Sequence, residues 1–260
     1  MRINKVLVTN DDGYNSFGIK LLSDILKNFT NEIYVVAPKK NMSGSSRSIS
    51  LKEEIKFKKI TPTSWVVDGT PTDCVMFALN HIFKNDKPDY IFSGINAGTN
   101  IGDEISYSGT VGAAFEGALR GIPSLAISQM VSDKDNSYII SNNNLPIIFP
   151  KVLKYFSKNN LLLNLNFPNC KQNNIKGLKI VNCSNQKCSD EIIIDNKHST
   201  FKIGKMNVFN NQNVDDLNAL KNGYITLSSL LINLTNKNFT NNYLIERDRP
   251  AFIELYFMEL

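Results

Sequence analysis

The chain has 260 residues, 42% of them hydrophobic, enough to bury the core of one large domain or of one domain with an appendage. Its formal net charge is +5, but the lysines and arginines are scattered, which argues against a nucleic-acid partner. It enters its first predicted strand without an apolar signal region and has no apolar run of membrane-spanning length. We therefore expect a cytoplasmic protein without a membrane partner.

An acidic pair follows the first predicted strand. The strand covers Lys5 to Thr9, Asp11 and Asp12 come next, and a helix with apolar residues at helical spacing runs from Gly18 to Phe29. Taken alone, an Asp-Asp-Gly segment is best interpreted as a turn. Two crowded carboxylates at the carboxyl end of a strand also suit a hard divalent cation such as Mg²⁺ or Mn²⁺, which takes oxygen ligands.

A second strand, Glu32 to Ala37, leads into a loop rich in serine and glycine. Most serines in such a loop have no role beyond forming the loop, but Ser43 follows the carboxyl end of this strand. In a doubly wound sheet, it should face the same crevice as the acidic pair. Next, Leu51 to Asp68 alternates charged and apolar residues, which predicts a β-hairpin. Thr70 and Pro71 then carry the signals of a helix start.

The stretch from Asp89 to Met130 predicts a β-loop-α-β unit, with strands at Tyr90 to Phe92 and Leu125 to Ile127 and a helix from Thr110 to Arg120. Ser108, Gly109 and Thr110 lie where the helix starts. Free backbone N–H groups, two hydroxyls and the positive end of the helix dipole would converge there, which favours an anion and above all phosphate.

The long loop of this unit contains Asn96 and Asn100. A turn is the simplest interpretation of Asn96, but its side-chain oxygen could also complete a ligand set with Asp11, Asp12 and Ser43. Three loops at strand ends and one helix start would then meet at one edge of the sheet. This convergence makes a metal and phosphate site the better hypothesis.

Beyond Met130, the asparagine-rich segment Ser141 to Asn144 is predicted to be a loop, followed by a helix in LPIIFPKVLKYF and a strand from Leu161 to Phe167. After Pro168 the composition shifts to lysine and asparagine with short apolar runs. We therefore predict a catalytic domain over residues 1–168 and a β-rich extension over residues 169–260. The apolar end, Phe252 to Leu260, is expected to pack on another subunit.

Five motifs in the first half of the chain resemble those of SurE, the stationary-phase survival protein family of metal-dependent 5′/3′-nucleotidases. They are VTNDDG, VVAP with the following MSGSS, GTPTDCV, SGINAGTNIG and YSGTVGAAFEG, all in the order of the family. The resemblance fades after Pro168 and returns in Gly223 to Thr235, where Ser229 replaces the usual proline.

The resemblance implies a Rossmann-like three-layer α/β sandwich with a mostly parallel sheet, plus a smaller β-rich carboxy-terminal appendage used in oligomerisation. It also implies one divalent ion per subunit, Mg²⁺ or Mn²⁺, and a homodimer or dimer of dimers with exchanged carboxy-terminal arms. By the same resemblance, the metal ligands are Asp11, Asp12, Ser43 and Asn96, and the phosphate pocket is Asn100, Ser108, Gly109 and Thr110. The expected catalytic residues are Asp11, Asp12 and Asn96.

The implied activity is hydrolysis of nucleoside 5′-monophosphates, with 3′-monophosphates and short polyphosphate left open as further substrates. Two alternatives come from other classes of protein. One is an aspartyl-phosphate signalling protein, although the DxD spacing of dehalogenase-type enzymes is absent. The other is a non-catalytic nucleotide-binding protein, although neither GxGxxG after the first strand nor a P-loop sequence occurs.

Overall fold

A computed structural model of the chain describes residues 2–131, 138–185, 191–204 and 215–235. These residues include eleven strands: β1 (Ile3–Thr9), β2 (Thr30–Pro38), β3 (Phe57–Thr61), β4 (Ser64–Val67), β5 (Tyr90–Ala97), β6 (Ser124–Gln129), β7 (Leu162–Phe167), β8 (Gly177–Ile180), β9 (Ile192–Asp195), β10 (Thr200–Ile203) and β11 (Tyr224–Ser229). They also include five α-helices: α1 (Phe17–Leu26), α2 (Pro71–Phe77), α3 (Gly109–Leu119), α4 (Ile139–Val152) and α5 (Asp216–Lys221).

Nine strands form one sheet in the order β3-β4-β2-β1-β5-β6-β7-β11-β8. The six strands from β4 to β7 in this order are mutually parallel, whereas β3 and β11 run antiparallel to their neighbours β4 and β7. The chain passes from β1 to β2 on one side and later returns to β5 on the other side of β1. This reversal leaves a crevice at the carboxyl ends of β1 and β5, where open α/β sheets bind their ligands.

Helices cover both faces of the sheet. Val6 and Val8 of β1 belong to the same apolar cluster as Leu22 of α1 and Leu145 of α4. Leu7, which points to the opposite face, belongs to a second cluster with residues of α2 and α3. Because successive side chains of a strand alternate between faces, one apolar run supports two helical layers. The predicted three-layer α/β sandwich is confirmed.

The start of α2 is fixed by the signals that its sequence contains. The Thr70 side chain accepts a hydrogen bond from the Asp73 N–H at 3.1 Å, and the Asp73 carboxylate accepts one from the Thr70 N–H at 2.9 Å. Pro71 occupies the first helical position, where a missing N–H costs nothing. The predicted helix start is therefore confirmed.

The prediction of a loop at Ser141 to Asn144 is wrong, because these residues lie within α4. Two of their polar side chains bond to carbonyls one turn earlier: the Ser141 hydroxyl donates to the Tyr138 carbonyl at 3.0 Å and the Asn144 amide to the Ile140 carbonyl at 2.8 Å. In addition, the Ser141 N–H donates to the buried Gln129 side chain at 2.9 Å. Tertiary contacts thus override the loop preference of asparagine.

Two strands beyond Pro168, β11 and β8, extend the main sheet from β7, while β9 and β10 form a separate two-stranded sheet. The sheet therefore runs across the predicted boundary at residue 168, and the division into two domains stays a prediction. The segment Phe252 to Leu260, expected to contact another subunit, lies outside the described residues. Within residues 2–131, 138–185, 191–204 and 215–235, no helix has the length and apolar character needed to cross a membrane.

Candidate metal and phosphate site

The turn after β1 directs two adjacent carboxylates in different directions. The buried Asn10 side chain holds this turn by donating to the Gly13 carbonyl at 3.0 Å and to the Ser16 hydroxyl at 2.7 Å. Asp11 is turned towards the start of α3 and Asp12 towards the end of β5. The acidic pair thus links the two sides of the crevice.

Asp11 contacts the start of α3 directly. The Thr110 hydroxyl donates a hydrogen bond to Asp11 Oδ1. A Cβ placed on Gly109 would lie only 2.9 Å from Asp11 Cβ and 2.6 Å from Ser45 Oγ, so the helix start approaches the aspartate as closely as a glycine allows. The Ser108 hydroxyl caps α3 by accepting from the Val111 N–H at 3.1 Å.

The group that contacts the start of α3 in this structure is the Asp11 carboxyl. Burial raises the pKa of the Asp11 carboxyl, and hydrogen bonds from the Thr110 hydroxyl and from backbone N–H groups, including those of Thr110 and Gly109, oppose this rise. The sequence predicted phosphate at these donors. In the structure these donors face the Asp11 carboxyl group, and the phosphate pocket stays a prediction.

Asp12 faces the other side of the crevice. The Ala97 N–H donates to Asp12 Oδ2 at 3.1 Å. Burial raises the pKa of the Asp12 carboxyl, the hydrogen bond from Ala97 opposes this rise, and the negative charge of Asp11 adds to it. Asp12 also lines a cavity of about 650 Å³ between the first turns of α1 and α4. Tyr138, in the wall of this cavity, has its pKa raised to about 12 by burial and by the nearby charge of Asp12.

The loop after β2 lies against Asp11. The Met42 N–H donates to the Asp11 carbonyl at 2.7 Å, which brings the exposed Ser43 into the neighbourhood of the acidic pair. Further along, the Ser46 N–H and hydroxyl donate to the carbonyls of Tyr107 and Ser106 at 3.0 and 2.6 Å. The loop is therefore held to Asp11 at one end and to the segment before α3 at the other.

Asn96 is the second-last residue of β5 rather than part of a loop beyond it, because the strand extends to Ala97. Its amide donates to the Gly98 carbonyl at 2.9 Å. The segment after β5, predicted as a long loop, contains a short 3₁₀ helix over Gly102–Ser106. The strand is therefore longer than the sequence predicted, and the loop after it is partly helical.

Asn100 belongs to a buried network of polar side chains from β6 and β7. Its amide donates to the Ser128 hydroxyl at 2.7 Å, and its N–H donates to Asn166 Oδ1 at 2.8 Å. Its carbonyl accepts from the amides of Asn164 and Asn166 at 2.7 and 3.0 Å. The contacts of Asn100 in this structure are thus with the scaffold beneath the loop.

The donor set at this edge suits a hard divalent cation. None of the salt bridges among the described residues involves Asp11 or Asp12, so burial leaves two adjacent carboxylates without a positive partner in that part of the chain. Ser45 Oγ and Asn10 Oδ1 are buried oxygens that have no hydrogen-bond partner among the residues that the structure describes. Within the described part of the chain, no three or more His, Cys, Asp or Glu side chains are grouped so that they could hold a metal ion. A cation here would therefore depend on hydroxyl, amide and water oxygens beside the two carboxylates.

The family model described as "Survival protein SurE" matches residues 6–190, which include every predicted metal-ligand and phosphate-pocket residue. The chain belongs to the SurE family. A Wolbachia pipientis wMel protein named 5′-nucleotidase SurE is 36% identical over 243 residues, covering 91% of this chain and 93% of that protein. A Campylobacter lari protein of the same name is 38% identical over 248 residues, covering 90% and 94%.

The fold of a SurE relative is similar over most of the chain. The crystal structure of the SurE protein from Aquifex aeolicus superposes with a TM-score of 0.79 at 34% identity, covering 91% of this chain and 96% of that one. The resemblance that the sequence motifs indicated is therefore confirmed. The roles of individual site residues stay predictions.

Sequence reasoning missed several residues that shape the SurE site. Asp216 accepts hydrogen bonds from the N–H groups of Gly102 and Ser184 at 3.0 and 2.8 Å, and so ties the end of the loop to α5. Asn166 and Asp216 are 66 and 114 residues away from their partners in this loop, so no local pattern signals them. Ser45 did lie within a recognised motif, but only the close approach of Gly109 distinguishes it from its neighbouring serines.

Proposed function

We propose that this SurE chain is a divalent-metal-dependent phosphomonoesterase that hydrolyses nucleoside 5′-monophosphates to nucleoside and phosphate. The observation that supports this most is the buried Asp11 carboxylate at the start of α3, beside Asp12, in a crevice at the sheet's reversal point. The names of its relatives, 5′-nucleotidase SurE, support the same reaction. The aspartyl-phosphate and non-catalytic alternatives have no such support.

The ligands of the proposed metal are Asp11, Asp12, Ser43 and Asn96, holding one Mg²⁺ or Mn²⁺ ion per subunit. The burial of the acidic pair without a basic partner in the described residues supports this assignment. When bound, such an ion would supply Lewis-acid stabilisation of the phosphoryl charge and would acidify water.

The proposed phosphate pocket consists of Asn100, Ser108, Gly109 and Thr110. The first turn of α3 contributes the positive end of its dipole, which stabilises negative charge on phosphoryl oxygens, while the N–H groups of Gly109 and Thr110 hold Asp11 beside it. The Thr110 hydroxyl has a second role, since it donates to Asp11 and so orients that carboxylate. Asp11 and Asp12 are the two candidates for the general base or for a direct nucleophile. Asn96 completes the proposed catalytic set.

The test is phosphate release from 5′-AMP, 3′-AMP and tripolyphosphate by the full-length protein, measured after chelation and again after Mg²⁺ or Mn²⁺ is added back. We expect release from 5′-AMP that disappears with chelation and returns with metal. The other two substrates show whether the activity extends to 3′-monophosphates and polyphosphate. Absence of release from 5′-AMP by folded, metal-loaded protein would refute the proposed function.

Asp11→Asn tests the assignment of the acidic pair. We expect turnover of 5′-AMP to fall by orders of magnitude while the circular dichroism spectrum stays unchanged, because the two side chains have the same shape. Asp24→Asn is a matched control, since Asp24 lies on α1 with its side chain 66% exposed. Near wild-type turnover by Asp11→Asn would remove Asp11 from the mechanism.

We also propose a cytoplasmic homodimer or dimer of dimers in which carboxy-terminal arms are exchanged. The exposed apolar side chains of the β9–β10 hairpin, among them Ile193, Ile194 and Ile203, support an interface in this part of the chain. Sedimentation equilibrium of the full chain and of a variant that ends at residue 235 tests this assembly. A monomeric full chain would contradict it.

A further inference from the structure

We propose that the cavity beside Asp12 binds the base of the nucleotide, with Phe17 as its stacking surface. This inference rests on the proposed function, because it assigns the nucleoside part of the same substrate. The cavity has a volume of about 650 Å³. Clefts of roughly 300–1,000 Å³ with mostly apolar walls and a few polar groups are typical of small-molecule sites.

The apolar wall comes from the first turns of two helices. Phe17 and Leu21 belong to α1, and Ile139 begins α4 just after Tyr138. The Phe17 side chain is 64% exposed, yet its ring lies against the buried Tyr138 ring with centroids 5.4 Å apart and a tilt of 35°. Its contact with Tyr138 supports one side of the exposed ring and leaves aromatic surface facing the cavity. Such a surface suits the flat face of a nucleobase.

The polar groups of the cavity suit a nucleoside rather than a purely apolar ligand. Ser16 is held in place by the donation from the Asn10 amide at 2.7 Å. Asn142 contributes a side-chain amide, which both donates and accepts hydrogen bonds and so can contact the edge of a base. Pairing an aromatic face with an amide is how proteins commonly bind a nucleobase.

The position of the cavity relative to the acidic pair explains how one nucleotide would span both parts of the site. Asp11 faces the start of α3, where the phosphate is proposed to bind, and Asp12 lines the cavity on the side of α1 and α4. A nucleoside monophosphate placed across the carboxyl end of β1 would have its phosphate on the Asp11 side and its base on the Asp12 side. Asp12 belongs to both regions, so the cavity adjoins the proposed metal site at this residue.

The experiment compares Phe17→Ala with wild-type protein on 5′-AMP and on ribose 5-phosphate, which has the same phosphate ester and sugar but no base. We expect the KM for 5′-AMP to rise about ten-fold, as typical for the loss of one base–aromatic stack, with ribose 5-phosphate kinetics unchanged. Phe17→Trp should retain the wild-type KM for 5′-AMP. Phe57→Ala is a matched control. Phe57 lies on the distant strand β3, is 53% exposed and packs its ring against that of Phe77.

An equal loss on both substrates would show that Phe17 only supports the fold, and no change on either would place the base elsewhere; both outcomes overturn the proposal. If wild-type protein releases no phosphate from either compound, the proposed function fails and the cavity is judged by binding instead. In that case, calorimetric binding of 5′-AMP that weakens about ten-fold in Phe17→Ala supports the base site. Binding that is equal in both proteins, or absent from wild type, overturns it.

Discussion

Gly109 is the residue whose replacement tests the geometry of the site most directly. In Gly109→Ala, the new methyl group would lie 2.6 Å from Ser45 Oγ and 2.9 Å from Asp11 Cβ, whereas ordinary contact begins at 3.4 Å. The Ser45 hydroxyl can rotate away, but Asp11 Cβ is attached to the backbone of the turn after β1. The methyl group therefore has to move the start of α3 and Asp11 apart by about 0.5 Å.

The expected cost of this movement follows from packing. Overpacking of a close contact costs about 1–3 kcal/mol of unfolding free energy. The better helix propensity of alanine offsets at most about 1 kcal/mol of this loss in unfolding free energy. We expect a net loss of about 1–2 kcal/mol in urea unfolding. Because a displacement near 1 Å in a catalytic site can lower the rate about 100-fold, we expect turnover of 5′-AMP to fall by roughly ten- to 100-fold.

Gly117→Ala is the matched control for Gly109→Ala. Gly117 lies two turns further along α3, where a Cβ would approach Ser124 Oγ to 2.4 Å and Ile91 Cδ1 to 2.5 Å, far from Asp11. Gly117→Ala should lower the free energy of unfolding, but the fraction that remains folded should not show a comparable loss of 5′-AMP turnover. Equal losses of turnover in both variants would refute the reasoning, as would a Gly109→Ala protein with unchanged stability and activity.

Three further changes test the acidic pair and the loop. Asp12→Asn should lower phosphate release from 5′-AMP by orders of magnitude, because it removes one of two carboxylates proposed to hold the metal. The folded pKa of Asp11 and of Asp12 is raised above 3.8, so the folded state binds protons more tightly than the unfolded state in the pH window above 3.8. The free energy of unfolding of metal-free protein should therefore decrease as pH rises from about 4 towards neutrality, and Mn²⁺ should restore it. Asp216→Ala removes the buried acceptor of the Gly102, Ser184 and Leu217 N–H groups and should cost about 3 kcal/mol in urea unfolding.

Each of these expectations has an outcome that contradicts it. Full activity in Asp12→Asn would exclude that carboxylate from the reaction. Melting temperatures in EDTA that rise steadily between pH 4 and 7 would mean that other groups outweigh the acidic pair. An Asp216→Ala protein as stable as wild type would show that water replaces the lost acceptor, and Asp103→Ala, at an exposed position of the same loop, measures the background effect.

Local sequence was sufficient to predict most of the secondary structure around the site. The apolar run of β1, the Thr70–Asp73 capping pair and the small-residue helix α3 all have short-range signals, and the structure confirms each element. The alternation of Val6, Leu7 and Val8 between two helical layers also follows from the two-residue period of a strand. The order of parallel strands then predicts which loops share one edge of the sheet.

What the sequence alone determined is therefore the three-layer fold, the SurE family and the strand-end segments that contain the candidate ligands. Only the tertiary structure decided that Asp11 and Asp12 face opposite sides of the crevice and that Asn100 is held by Asn166 of β7. It also decided that α4 begins before the asparagine-rich segment. The physical reason is that short-range patterns are set by backbone preference and periodicity, whereas side-chain direction and the partners of buried polar groups depend on contacts between residues far apart in the chain.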